Sequence, residues 1–212
     1  MRLGWPREYF FEHVDAEVQK AIETAVKQLA KLGATVEEVS IPGISASVEP
    51  STQIALAESY SFHKLSGYYP ARAAEYGEDV RTRLELGESI RAADYLEALE
   101  TRKKTLSEFE NAFKRMEAIL APSVPIPAPR IGQQTVKIGA HEELVRSALI
   151  RTNRPANFTG LPAISVPCGF TRTGLPIGLQ LIGPAWGEAR LLQIAHAYEQ
   201  STEWHDRHPK EN

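Results

Sequence analysis

The segment from Asn157 to Gly183 constrains the fold of this chain most strongly, because it holds two apolar runs separated by a short polar turn. The first run, Ala163 to Phe170, reads AISVPCGF, and the second, Leu175 to Ile182, is apolar apart from Gln180. Runs that are apolar on both faces are typical of strands covered on both sides. Gly174 can adopt positive φ in the turn between them. We therefore expect a buried hairpin in an α/β core.

Residues 1–42 carry the pattern of a βαβ unit. Leu3 to Pro6 forms a short strand, Asp15 is the expected N-cap of a helix, and Gly33 ends that helix. Ala34 to Val39 then alternates as a second strand. Such crossovers are nearly always right-handed. The buried face of the helix should carry Val18, Ile22, Ala25, Val26, Leu29 and Leu32.

Residues 50–116 are predicted to be mostly helical, with helices at Ser51–Leu65, Glu78–Leu86 and about Ala92–Met116. The spacing of apolar residues along the last of these predicts its buried side. That side should carry Leu96, Leu99, Leu106, Phe109, Phe113 and Met116.

Residues 118–200 are predicted to supply core strands and helices. A buried strand at Ala118–Ala121 leads into the proline-rich loop Pro122–Pro129, and helices are expected at His141–Arg151, ended by Pro155, and at Glu188–Gln200. Residues 201–212 form a polar tail. The inward positions of the two helices should be Leu144, Val145, Ala148, Leu149, Leu191, Leu192, Ala195 and Tyr198.

Composition narrows the function classes. The 212 residues are 42% hydrophobic and 24% charged, which is ordinary for a soluble globular protein. A formal net charge of -3 gives no electrostatic reason to expect nucleic acid or an anionic membrane as a partner. One cysteine excludes an internal disulfide, and no Cys/His spacing indicates a metal site or a cofactor. The chain shows neither a signal peptide nor an apolar run that could span a bilayer, so we expect it in the cytoplasm.

Three sequence blocks resemble one known family. NFTGLPAISVPCGF followed by GLPIGLQLIG resembles the C-terminal core of the amidase signature family, the Ser-Ser-Lys amidases that include the amidase component of the bacterial glutamyl-tRNA amidotransferase. RLGWPREYFF and VRTRLELG resemble other segments of that family. The resemblance runs from about Leu3 to Gln200. It implies an α/β fold with a mixed β-sheet flanked by helices, and a single partial domain, residues 1–212, that corresponds to the C-terminal half of an amidase.

The resemblance also implies candidate substrate-binding residues. Arg83 matches an arginine that helps to hold the substrate carboxylate in tRNA-dependent members, and a guanidinium suits a carboxylate through two parallel hydrogen bonds. An ordinary surface arginine on a helix is the alternative. Ser123 lies in the loop that borders the active-site cleft in the family, and Asn157 opens the Asn-x-x-Gly-x-Pro segment. Arg151 stands near the position of an acidic residue that binds the glutamine amino group in tRNA-dependent members, which favours a general amidase.

The catalytic residues of the family have no counterpart in this sequence. Family members use a Gly/Ser-rich loop with a nucleophilic serine and a bridging serine, and an upstream lysine as the base. The nearest segment here, Gly43–Ser47, lacks the closing glycine. Ser165 is expected inside a buried strand, where its hydroxyl could not be presented as a nucleophile. We therefore assign no catalytic residue.

Other reactive residues have ordinary explanations. Ser61 and Lys64 match the S-x-x-K pattern of penicillin-recognising hydrolases and would be neighbours on a helix, but the accompanying S-D-N and K-T-G motifs are absent. Cys168 is interpreted as a small buried hydrophobe. His205–His208 lies in a polar tail and lacks a complete ligand set.

The sequence therefore supports one main hypothesis and two alternatives. The chain is expected to be the substrate-side portion of an amide hydrolase, a fragment or truncated gene product that is inactive alone. It would act on a small-molecule amide once completed by the missing catalytic half, and an unpaired sheet edge would promote self-association. The alternatives are a standalone non-catalytic partner or pseudoenzyme, and more remotely an S-x-x-K serine hydrolase.

Overall fold

The structure of this protein is a computed structural model that describes residues 1–6 and 8–208. Residues 209–212 of the predicted tail lie outside the described residues. Within the described part, the helices and strands follow the order β1 (Arg2–Trp5), α1 (Ala16–Lys31), β2 (Thr35–Glu38), α2 (Val48–Leu65), α3 (Glu78–Glu88), α4 (Ala92–Phe113), β3 (Ala118–Pro122), β4 (Thr135–Ile138), β5 (His141–Leu144), α5 (Val145–Arg151), α6 (Arg154–Thr159), β6 (Ala163–Phe170), β7 (Pro176–Ile182) and α7 (Glu188–Glu199).

The chain divides into two compact units, of which the first comprises Met1–Pro42 with Glu108–Asn212. Its five-stranded sheet has the order β2-β1-β3-β7-β6. β1 runs parallel to β2 and to β3, whereas β7 runs antiparallel to both β3 and β6. The predicted mixed sheet is therefore confirmed, and β1, α1 and the parallel strand β2 follow one another as a βαβ unit.

Helices α1 and α7 cover one face of this sheet. The side chain of Asp15 accepts a hydrogen bond from the backbone N–H of Glu17, and this N-cap starts α1 as the sequence predicts. The burial of the side chains between helices and sheet removes apolar surface from water and is the main stabilisation of the unit. The core combines Val18, Ile22, Ala25 and Leu29 of α1 with Leu191, Ile194, Ala195 and Tyr198 of α7 and with the strand residues Leu3, Leu120, Val166, Leu179 and Leu181.

The hairpin of β6 and β7 departs from expectation on one side. β7 is buried from Leu179 to Ile182, but β6 is the outermost strand, and its Ala163 and Ser165 are exposed. The prediction that both strands are covered on both faces is therefore wrong for β6. Ala163 and Ser165 point to the sheet face opposite α1 and α7, whereas Val166 and Cys168 alternate with them and pack into the core under those helices.

Three local predictions are also wrong. Residues 141–144 form strand β5, paired with β4, because Gly139 adopts a φ of +61° and turns the chain into a hairpin; the helix starts only at Val145. Leu144 consequently points outward and is exposed. Pro155 does not end that helix but lies in the first turn of α6, where its missing N–H costs nothing. Leu32, Leu96 and Leu192, expected inside, are exposed. Leu32 follows the last residue of α1, and the other two lie beside the buried stripe of their helices.

The second unit, Gly43–Ser107, is helical. Helices α2 and α3 approach closely at Gly87, where an added Cβ would lie 2.7 Å from the Cβ of Tyr60 and would overlap the carbonyl oxygen of Leu56. Glycine therefore permits this helix contact, which a larger residue would push apart. Ile54, Leu56 and Leu84 are buried in this unit.

Candidate polar site on the open sheet face

Two serine hydroxyls meet on the sheet face opposite α1 and α7. Ser123, directly after β3, and Ser165 of β6 have their Oγ atoms 2.5 Å apart, and either hydroxyl can be the donor. β3 and β6 flank β7, so their backbones are about 10 Å apart. The hydroxyls meet because Gly178 of β7 lies between them, where an added Cβ would be 2.6 Å from Ser123 Oγ and 2.8 Å from Ser165 Oγ.

A buried polar network holds Ser123 in place. Its backbone N–H donates to the carbonyl of Gly178 at 2.9 Å, and its own carbonyl accepts a hydrogen bond from Thr152 Oγ1 at 2.8 Å. Gln180 Nε2 donates to the carbonyl of Thr152 at 3.0 Å. Thr152 and Gln180 are 0% and 3% exposed, so water cannot replace these bonds and the network is rigid.

Ser165 corrects a sequence-based expectation. The sequence pattern predicts that it is enclosed in a buried strand, but it is exposed at the open edge of the sheet. Exposure alone does not make it a nucleophile, because a serine hydroxyl needs an adjacent base. In the part of the chain that the structure describes, neither Ser123 nor Ser165 is hydrogen-bonded to a lysine, histidine or carboxylate side chain. The pair can therefore donate and accept hydrogen bonds but lacks a group that would activate it.

The three predicted binding residues occupy different elements. Ser123 belongs to the hydroxyl pair, Asn157 is exposed on α6, and Arg83 is half-buried on α3 of the helical unit. Sequence reasoning missed Ser165 and Gly178 as parts of the polar cluster. A glycine inside an apolar strand is the one local signal that could have indicated a close approach there.

Arg151 serves the structure of its own unit. Its guanidinium donates to the carbonyls of Glu12 at 2.6 Å and His13 at 2.8 Å and pairs with Glu143 at 3.2 Å. The hydroxyl of Tyr9 donates back to the carbonyl of Arg151. A guanidinium that is bound in this way stabilises the loop before α1 and has few donors left for a substrate.

The Ser61–Lys64 pair lies on α2 as its spacing predicts. Lys64 Nζ donates to the hydroxyl of Tyr60 at 2.7 Å, and that hydrogen bond raises the pKa of the ammonium group. A general base near neutral pH needs a lowered lysine pKa. The surroundings of Lys64 therefore give no support to the S-x-x-K mechanism.

Cys168 is buried, and desolvation raises the pKa of its thiol to about 12. It is thus a small apolar residue, as predicted, rather than a reactive thiolate. Across residues 1–6 and 8–208, no three His, Cys, Asp or Glu side chains are grouped so that they could hold a metal ion. None of the described helices is long and apolar enough to cross a membrane.

The fold and the cluster together define an α/β domain with a hydroxyl-bearing face at the edge of a mixed sheet. The sequence profile of the Amidase family matches residues 1–192, and the chain therefore belongs to that family.

Individual relatives support the same assignment. The chain is 36% identical over 230 residues to the A-type subunit of the glutamyl-tRNA(Gln) amidotransferase of Thermodesulfovibrio yellowstonii, covering 99% of this chain and 46% of that protein. It is 37% identical over 212 residues to an amidase of Pseudomonas putida, covering 99% and 45%. The chain thus spans about half the length of the curated relatives it matches, and it corresponds roughly to their C-terminal half.

Solved structures agree with the fold. A crystal structure of an amidase superposes with a TM-score of 0.87 at 26% identity, over 94% of this chain and 45% of that chain. The corresponding glutamyl-tRNA(Gln) amidotransferase subunit of Thermotoga maritima superposes with a TM-score of 0.67 at 32% identity, over 94% and 42%. The α/β architecture with a mixed sheet is therefore that of the amidase signature fold.

Proposed function

We propose that this chain supplies the substrate-binding side of an amidase-signature amide hydrolase and contributes no activated nucleophile. The observation that carries the proposal is the Ser123–Ser165 pair, whose hydroxyls are hydrogen-bonded to no base among residues 1–6 and 8–208. In serine amidases the hydroxyl attacks only when a neighbouring group removes its proton. Residues 1–212 would then act together as one part of a larger catalytic domain in the cytoplasm.

Under this proposal, each candidate residue has a chemical role. Arg83 can bind a substrate carboxylate through two parallel hydrogen bonds. Asn157 carries both a donor and an acceptor on an exposed side chain, and so can donate a hydrogen bond to an amide carbonyl or accept one from an amide N–H. Ser123 is held by a buried network and can orient a polar group of the substrate. The substrate would be a small-molecule amide, and the partner would be a polypeptide that carries the Ser-Ser-Lys residues.

Steady-state kinetics with and without a catalytic half would test the proposal. The purified chain is assayed against simple aliphatic amides, aromatic amides and glutamine, alone and after co-expression with the portion of the Pseudomonas putida amidase that this chain does not match. We expect no turnover alone, because the binding groups of a hydrolase without its catalytic residues give only weak residual catalysis. Co-expression should yield a complex that hydrolyses amides.

The same experiment separates the alternatives. Turnover by the chain alone that survives repurification would contradict the proposal, and its loss in Ser61→Ala would establish the S-x-x-K mechanism. A stable complex without turnover would favour a non-catalytic partner or pseudoenzyme. Failure of the two polypeptides to associate would contradict the proposed role as half of an enzyme.

A further inference from the structure

The Ser123–Ser165 pair has a definite capacity for hydrogen bonding. Each hydroxyl has one donor and two acceptor lone pairs. The mutual bond uses one hydrogen and one lone pair, since one serine donates to the other. The pair therefore retains one O–H donor and several lone pairs. Because Ser165 is exposed, these groups are accessible at the edge of the sheet.

We propose that Ser123 and Ser165 form a binding site for an uncharged primary amide group. One oxygen of the pair would donate to the amide carbonyl, and the other would accept from the amide N–H. This inference rests on the proposed function for the class of ligand, and it adds Ser165 and Gly178 to the residues that would recognise it. It involves no covalent step.

The site should discriminate against charged analogues of the same shape. A carboxylate only accepts hydrogen bonds, and the pair has a single donor left for it. An ammonium group only donates. Among the described residues, the groups hydrogen-bonded to the pair are Thr152 and backbone groups, with Gln180 bonded to Thr152 in turn, and none of them carries a negative charge. Binding either ion would leave its charge without a partner at the site.

Gly178 and the hydrogen-bond network fix the relative position of the two serine hydroxyls. The glycine leaves the space in which both hydroxyls meet, and Ser123 is anchored through its N–H and its carbonyl. A hydroxyl whose backbone is anchored in this way loses less conformational entropy on binding, which favours recognition. Ala163 and Pro167 flank Ser165 on the same face of β6 and offer apolar surface to the rest of the ligand.

Nuclear magnetic resonance titrations of the full chain would test the site with three probes that share one ring. Benzamide, benzoate and benzylamine are added to isotopically labelled protein, and shifts of backbone amide signals are followed. We expect benzamide to shift the signals of Ser123, Ser165 and Gly178. Benzoate and benzylamine should bind at least about tenfold more weakly, because each loses a hydrogen bond and leaves a charge unpaired.

Serine-to-alanine variants test whether benzamide binds at the Ser123–Ser165 pair. Ser165→Ala and Ser123→Ala should each weaken benzamide binding about fivefold, as expected for one neutral hydrogen bond. Ser147→Ala removes an exposed serine from α5 and should leave binding unchanged. Well-dispersed spectra of each variant establish that it is folded, and two independent variants keep the test decisive if one does not fold.

Several outcomes would overturn the inference. These are benzamide shifts that lie elsewhere, equal binding of benzoate, absence of any benzamide binding, or binding that both serine variants retain. Hydrolysis of benzamide would show in the same samples as free benzoate. That result would contradict the proposed lack of an activated nucleophile, and so the two ideas fail by different signals.

Discussion

Replacing Gly178 with alanine perturbs the polar cluster at a single defined point. The new methyl group would lie 2.6 Å from Ser123 Oγ and 2.8 Å from Ser165 Oγ, well inside van der Waals contact. Ser123 cannot retreat easily, because its Cβ is also only 3.0 Å away and its backbone is bonded to Gly178. The substitution must therefore separate the two hydroxyls or bend β7.

The expected cost of Gly178→Ala is about 2 kcal/mol. Overpacking in a rigid site costs about 1–3 kcal/mol, and the lost bond between the hydroxyls adds about 1 kcal/mol. Alanine restricts the unfolded chain, which returns about 0.4–1 kcal/mol. With an m-value in urea of about 2 kcal/mol per molar, the midpoint of unfolding should fall by about 1 M.

Tryptophan fluorescence during urea unfolding reports on the structural unit that contains Gly178, because Trp5, Trp186 and Trp204 all lie in that unit. In a Ser123→Ala background one of the two clashing oxygens is gone and Ser165 is free to rotate. The cost of Gly178→Ala should then fall by at least about 1 kcal/mol, the coupling expected of residues in contact. An equal loss of stability in both backgrounds, or no loss at all, would refute the claim that the missing Cβ of Gly178 leaves the space in which the hydroxyls meet.

Four further predictions follow from other contacts. Gly87→Ala should destabilise the helical unit by about 1–3 kcal/mol through overpacking against Leu56; circular dichroism during urea unfolding measures it, and an unchanged curve would argue against the close helix contact. Arg151→Gln should cost about 1–3 kcal/mol, because the carbonyls of Glu12 and His13 lose charged donors. Thermal unfolding tests this, and a shift no larger than that of a surface arginine variant would contradict it. Burial raises the pKa of the Cys168 thiol to about 12, so it should resist iodoacetamide at pH 8 until urea unfolds the chain, which intact mass spectrometry will show. The contribution of the neutral thiol to the free energy of unfolding should decrease as the pH rises from about 8.5 towards 12. Labelling of the folded chain at the rate of a free thiol would disprove this. The open edge of β6 should promote self-association, which light scattering after size-exclusion chromatography detects and Ala163→Lys should reduce; a monomer at all concentrations would speak against it.

The sequence predicted best the elements whose signals are local. Asp15 as an N-cap and a buried stripe on α1 need only one turn of helix to be recognised. The N-cap is confirmed, and so are Val18, Ile22, Ala25 and Leu29 of the stripe. The hairpin turn at Gly174 is equally local, and that residue has a φ of +86°. These local features are present in the folded structure because tertiary packing favours the same conformations as the local sequence.

The failures concern information that lies outside any local window. AISVPCGF reads as a strand covered on both faces, but only the tertiary structure shows that α1 and α7 cover one face of β6 and that Ser165, on the other face, is exposed. His141–Leu144 fits a helical period as well as a strand period, and its pairing with β4 decided between them. The amidase resemblance, in contrast, depends on long runs of matching residues, and the family assignment confirms it.

The candidate site was predictable only in part for the same reason. Ser123 could be named from the resemblance, but its partner required the register of three strands. Ser165 of β6 pairs with Gln180 of β7, and Gly178 lies two residues before Gln180. This register cannot be predicted from either segment alone. A contact between strands that are not neighbours depends on the glycine between them, which a pattern of apolar residues does not reveal.

Fluorophosphonate labelling tests the central claim, that this chain carries polar binding groups without an activated nucleophile, most directly. The reagent phosphonylates serines that a base has activated, and intact mass spectrometry detects a single adduct. We expect the native chain to show no adduct under conditions that label a complete amidase quantitatively. Within the part of the chain that the structure describes, neither Ser123 nor Ser165 is hydrogen-bonded to a base, and Lys64 is hydrogen-bonded to Tyr60. A stoichiometric adduct, mapped by peptide sequencing to Ser61, Ser123 or Ser165 and absent after denaturation, would contradict the account.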